Sequence, residues 1–239
     1  MQQPQIIQVL KDAQLAHQAG DFVNALKFYQ HFFDHALDDD PYALYGVRLS
    51  YCLEGWGKLA KEFIGAKNEL VSYQRNTLQA YLSTKRPELF HDFYSICAVL
   101  EQRELAVEEF LSINIDNHEQ ATRLIKFVWD DLIQQQHWQV CNQFLNEPIK
   151  KLDESFEIFD QAVKLQDVDS SFANSAFEEH VLSTLINNVQ ELLLVLRHNK
   201  RSIDVDMIER KFFEIANSKQ HAALDQLIQA KGSFIFAGH

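Results

Sequence analysis

Apolar residues recur along most of this chain at intervals of three and four, the spacing of one face of an α-helix. Residues 5–18 place Ile6, Val9, Leu10 and Ala13 on one stripe behind Pro4. Ala19-Gly20-Asp21 breaks the pattern; glycine suits the left-handed stop of one helix, and aspartate caps the next. The partner helix, 22–37, carries Phe22, Ala25, Leu26, Tyr29, Phe32 and Phe33, and Asp38-Asp39-Asp40-Pro41 closes it. A third helix is predicted over 41–53 (Leu44, Val47, Tyr51), then a turn at Gly55-Trp56-Gly57, a helix over 58–70 and more helical chain over 71–84. Beyond Pro87 come two further pairs, 88–100 with 103–112 and 119–134 with 138–146. An amphipathic helix over 149–166 follows Pro148 and bears Leu152, Phe156, Phe159 and Val163.

From Asp167 the character changes. A polar linker with Asp169 or Ser170 as cap leads into a long helix over 171–198, with Phe177, Val181, Leu185, Val189, Leu192 and Leu196 at helical spacing. Its run Leu192-Leu193-Leu194-Val195-Leu196 is apolar around the whole cylinder, so this end should be covered on several sides. Helices over 204–217 and 219–231 complete the pattern. Gly232 is the expected stop, and Phe234, Ile235 and Phe236 in the tail predict that it docks.

A slower rhythm overlies the helical one. Ala25, Ala60, Ala106 and Cys141 each sit midway along a helical segment, at intervals of 35, 46 and 35 residues. Five residues before each stands a turn position: Gly20, Gly55, Glu101 and Gln136. A period near 35 is the signature of helical hairpins that cannot bury their apolar faces alone and therefore stack. The residues at the crossings are small because two helix axes approach closely there, and cysteine serves as a small hydrophobe. All four should be buried.

The stretch from Gln18 to Tyr29 resembles a tetratricopeptide repeat. That family places a glycine at the turn, an aromatic soon after, a small residue at the crossing and an aromatic four residues on. Those roles fall on Gly20, Phe22, Ala25 and Tyr29. The second unit, with Ala43, Leu44, Val47, Tyr51, Gly55 and Ala60, is similarly close to the pattern. The third and fourth keep Ala106 and Cys141 but put Glu101 and Gln136 where the family has glycine, and Pro41 falls about one turn later than the family's closing proline. The resemblance covers residues 5–146. Tyr42–Ala60 also resembles a group of uncharacterised bacterial helical-repeat proteins, from which no function carries over. The implied fold is all-α: a tetratricopeptide-like α–α superhelix, a right-handed solenoid of hairpins over residues 1–166, with 167–239 as a C-terminal helical cap packed on it.

Composition narrows the partners. Seven glycines and four prolines are too few for the tight turns of an all-β fold, and 46% hydrophobic residues suffice for a sizeable core. The net charge of −12 disfavours a phosphate backbone or an anionic membrane face and suits a basic protein. Three cysteines, Cys52, Cys97 and Cys141, lie in apolar helical runs without any C-x-x-C, which predicts free thiols and a cytoplasmic location. The N-terminus shows no signal-peptide pattern, and the longest apolar run is too short to span a bilayer.

Chemistry-bearing motifs are sparse. His31-Phe32-Phe33-Asp34-His35 puts two histidines on one helix face, but no third ligand is identifiable and the phenylalanines fit the core stripe. The Asp38–Asp40 run lacks the alternation of a calcium loop and reads as a helix stop and cap. Cys97 and His91, six apart, lie on different helix faces and do not form a nucleophile–base pair. Neither a metal nor a cofactor is expected.

The resemblance assigns partner binding to the first helix of each hairpin. Its groove positions project onto His17, then Tyr42, Tyr45 and Leu49, then His91 and Ser95, then Arg123, Lys126 and Asp130, with Arg48 close to that face. Tyr42, Tyr45, Arg48, His91, Arg123, Lys126 and Asp130 are the candidate partner-binding residues. The expected function is a non-catalytic protein-binding scaffold or adaptor, in one specific form an acidic immunity-type inhibitor of a basic toxin. Two alternatives stand beside it: an enzyme with a pocket between the repeats and the C-terminal helices, and a structural homo-oligomer joined through 192–196.

Overall fold

The computed structural model describes residues 3–168, 174–218 and Leu224, and every regular element among them is helical. In chain order these are α1 (Gln3–Gln18), α2 (Phe22–His35), α3 (Tyr45–Val47), a π-helical turn (Arg48–Cys52), α4 (Leu53–Glu62), α5 (Ile64–Thr84), α6 (Pro87–Val99) and α7 (Arg103–Asp116). There follow α8 (His118–Gln134), α9 (Trp138–Gln143), α10 (Pro148–Val168), α11 (Ser175–His198) and α12 (Ser202–Ser218). The π turn joins α3 to α4 without a break, so the described residues form eleven separate helices.

Hairpin turns explain the slow rhythm. Gly20 adopts φ +77°, and Glu101, Gln136 and Lys200 adopt the same left-handed conformation at 59°, 62° and 57°. At each, two amides close the preceding helix: Gly20 N–H donates to His17 O and Asp21 N–H to Ala16 O, and the pattern repeats at 101/102, 136/137 and 200/201. This is the Schellman closure that glycine favours. Glutamate, glutamine and lysine adopt it here at a cost of about 1–2 kcal/mol each, so the geometry recurs where the glycine does not. Five residues on, Ala25, Ala106 and Cys141 are fully buried, as the period predicts.

The second unit departs from that register. No turn forms at Gly55-Trp56-Gly57; the helix runs through it to Glu62, and the break falls at Phe63, whose φ −130° and ψ 112° are extended. The reason is contact rather than flexibility. A Cβ on Gly55 would lie 2.6 Å from the Tyr29 hydroxyl, and one on Gly57 would lie 2.7 Å from Val99. These glycines let α4 approach its neighbours, and Trp56 between them is fully buried, with its indole N–H donating to Ala66 O at 3.2 Å. Ala60 is consequently only half-buried, and Ala66 occupies the fully buried small position instead. The two helices expected over 58–70 and 71–84 are the tail of α4 and one long α5.

The chain divides into two compact units, residues 1–131 and 132–239, and the division falls inside α8. In the first unit α1 packs on α2, α2 on the π turn and α4, α4 on α5 and α6, and α6 on α7. In the second, α10 and α11 pack on each other and both on α12, and α9 packs on α11. The helix expected over 149–166 therefore belongs with those after it. Asn174, not Asp169 or Ser170, caps α11, accepting from Phe177 N–H at 2.9 Å. Asp169, Ser170, Gly232 and the 233–239 tail lie outside the described residues. Leu192, Leu193, Val195 and Leu196 are buried within the chain, and Leu194 is half-buried.

Candidate functional site

Three of the projected groove residues converge. Tyr45 opens the helix that continues into α4, His91 lies one turn into α6, and Lys126 sits midway along α8. The Tyr45 Oη lies 2.9 Å from His91 Nδ1, and the His91 ring stacks on Phe127 with centroids 4.2 Å apart and planes 15° from parallel. Lys126 Nζ lies 5.0 Å from the Phe127 centroid, within cation–π range. A ladder of three rings thus links the helix that opens at Tyr45 to α6 and α8, each ring half-buried.

Burial sets the ionisation of the ladder. It pushes the Tyr45 phenol up to about 12, aided by the nearby Asp92 charge. It also lowers the His91 pKa, against the opposing pull of Asp92 and with help from Lys126 and Arg48. Tyr45 is therefore protonated at neutral pH and His91 favours the uncharged form. With its proton on Nε2, the imidazole accepts from the phenol at Nδ1. The face offers aromatic edges and one ammonium, a surface suited to contact rather than to bond making.

Arg48 does not belong to this surface. Its Nη1 and Nη2 donate to the two carboxylate oxygens of Asp92 at 2.6 and 2.9 Å, its Nε donates to Phe33 O at 2.6 Å, and its guanidinium lies 3.6 Å over the Phe33 ring. Both side chains are about nine-tenths buried. The π turn that begins at Arg48 adds a residue to the helix and turns this side chain inward. The placement of Arg48 in the groove is corrected accordingly: it is an internal clamp between α2, the π turn and α6.

The remaining projected residues scatter. Tyr42 is 85% exposed on a turn that Asp40 caps, accepting from Tyr42 N–H and Ala43 N–H. Residues 41–44 form that turn, and the third helix starts at Tyr45, not at 41. Arg123 is exposed and pairs with Glu119 one turn earlier, and Asp130 is exposed. His17 pairs with Glu62 at 3.3 Å, while Leu49 and Ser95 are half-buried. Phe127 and Asp92 escaped the sequence reading although they adjoin Lys126 and His91; the signal available was their place beside projected groove residues. A second network also went unread: Tyr94 donates to Asp131 at 2.8 Å, Arg103 donates to both, and Asp131 is 3% exposed.

The sparse chemical motifs settle into structural roles. His31 and His35 rings lie 4.6 Å apart, and His35 bonds Asp38 at 2.8 Å. Among the described residues no three His, Cys, Asp or Glu side chains cluster as metal ligands would. Cys52, Cys97 and Cys141 are buried, unpaired thiols, pushed up to about 12, 11 and 12 by burial. No helix of the described residues is long and apolar enough to cross a membrane. No family model, curated protein or solved structure matches the chain.

Proposed function

We infer that the chain is a non-catalytic, protein-binding helical-repeat scaffold of the tetratricopeptide type, with the Tyr45–His91–Phe127 ladder as the centre of its binding face. The observation that carries the reading is that ladder: residues distant in sequence meet in succession, Tyr45 with His91 and His91 with Phe127, on three different helices. In this reading the hairpins stack in the right-handed α–α manner of that family. Aromatic rings and histidine give large contact area at small entropic cost, the chemistry of interface hot spots.

The partner in this reading is a basic protein, drawn by the charge of −12. A cytoplasmic, bacterial adaptor fits it, and one specific form is an immunity-type inhibitor that occludes a basic toxin. Retention experiments on the intact chain, followed by calorimetric titration of the recovered partner, test the reading. Tyr45→Ala and Phe127→Ala should each weaken binding about tenfold or more, while Ile115→Ala, at an 85% exposed position on α7, leaves it unchanged. The association rate should fall as salt rises. Normal binding by both ladder variants would remove the ladder from the interface.

A further inference from the structure

Tyr29 is 1% exposed, and its hydroxyl meets no hydrogen-bond donor or acceptor among the described residues. Leaving such a group unsatisfied costs about 1–3 kcal/mol, more than this chain has reason to spend on a position where phenylalanine would pack equally well. The hydroxyl sits beside Gly55, whose missing Cβ would fall 2.6 Å from it. Tyr29 and Gly55 both line a cleft of about 710 Å³ between α1, α2 and α4. The end of the Tyr29 ring packs where a side chain at position 55 would stand, so glycine there leaves the ring its place at the cleft wall.

The charged lining consists of two carboxylates, one lysine and one histidine. Glu54 and Glu62 are each more than half exposed, Glu54 bonded to Lys58 at 2.6 Å and Glu62 to His17 at 3.3 Å. Tyr51 stands at the wall and is 64% exposed. An anionic or purely apolar occupant is disfavoured by the carboxylates. A flat cation with several N–H donors matches all three elements: it stacks on Tyr51, replaces Lys58 at Glu54, and leaves one donor for the lone pairs of the Tyr29 hydroxyl. The volume holds an arginyl side chain together with part of the peptide that carries it.

We propose that this cleft is a guanidinium site, which receives an arginine side chain of the basic partner through Glu54, Glu62, Tyr51 and the buried hydroxyl of Tyr29. The proposal rests on the partner reading above and supplies its specificity: arginine in preference to lysine. It is tested by titrating N-acetyl-arginine amide into the isotopically labelled full chain and following assigned amide resonances. N-acetyl-citrulline amide, the neutral isostere, and N-acetyl-lysine amide serve as comparisons. Saturable shifts centred on Glu54 and Gly55, with arginine amide bound about tenfold more tightly than citrulline amide, are expected. Tyr29→Phe should weaken arginine binding severalfold while its thermal midpoint stays level or rises, because the lost hydroxyl has no partner among the described residues. Glu54→Gln should weaken it as well, independently of any change at Tyr29.

Equal binding of arginine and citrulline amides, shifts centred elsewhere, or unaltered affinity in Tyr29→Phe would each overturn the proposal. A Tyr29→Phe variant of lower stability would also count against it, since the hydroxyl would then have a structural role. The same titrations on Phe127→Ala separate the two readings. If arginine amide binds at the cleft but the ladder variants hold the basic partner normally, the ladder reading fails and the cleft stands. If the ladder variants lose the partner while arginine amide ignores the cleft, the cleft alone fails.

Discussion

Two side-chain pairs join the same two helical rods from adjacent positions on α6, and their fates are opposite. Tyr45 meets His91 at the surface, while Arg48, three residues on, meets Asp92, the residue after His91, in the interior. The first pair is half-buried and neutral; the second is ionic, bidentate and shut in. Successive positions on a helix point about 100° apart, so adjacent residues face different media, and the medium decides whether a polar group is a contact surface or a clamp. An arginine near a groove face is not by that fact a groove residue; its exposure must be known first.

The largest expected effect breaks the clamp. Asp92→Ala leaves the Arg48 charge buried without a carboxylate and should cost about 3–5 kcal/mol of unfolding free energy, read from urea denaturation. Replacing both partners sharpens the point. Arg48→Met with Asp92→Leu strands no charge, so its loss should be at least about 2 kcal/mol smaller than that of Asp92→Ala alone. A double variant as unstable as the single one would show that packing on Phe33, and not charge, is what Arg48 contributes.

On the ladder the effects shrink. Tyr45→Phe keeps the ring and removes only the bond to His91, so about 0.5–1.5 kcal/mol is expected. The smallest effect is a pH dependence. The folded pKa of His91 is lowered by burial from its ordinary 6.5, so between the two values the unfolded chain binds more protons than the folded one. The resulting contribution is fully present above about pH 6.5 and is lost as pH falls through the lowered folded value. Urea midpoints at pH 7.5 and 5.5 should therefore differ less in His91→Phe than in the unaltered protein. No change in that difference would mean that His91 is not held neutral by its surroundings.

Helix type and hairpin rhythm were legible in the sequence because both are written in spacing. Gly20, Glu101 and Gln136 mark real turns, and Ala25, Ala106 and Cys141 lie buried five residues beyond them. The second unit was not legible, since glycine has two uses. At Gly20 it relieves a left-handed backbone; at Gly55 and Gly57 it clears room for Tyr29 and Val99, and only the neighbours distinguish the cases. The candidate face was legible in outline through Tyr45, His91 and Lys126. Phe127 was hidden because a lone phenylalanine in a helix reads as core, and Arg48 was misplaced because a π turn leaves no mark in a hydrophobic pattern.

That π turn, Arg48–Cys52, holds one residue more than an α-helical path of the same rise requires. It sets the phase between the two ends of one rod. Tyr45 at its start belongs to the ladder, and Glu54, Gly55 and Glu62 beyond it line the cleft around Tyr29. Removing the surplus residue, such as the exposed Ser50, would leave four α-helical residues where five now make the turn, and the two ends would keep nearly their present angle. Aromatic ladder and acidic cleft would then hold their angular offset, each with its own side chains. A helix with such a turn behaves like a shaft with a slack link: one residue can be taken out of it more readily than its angle can be changed.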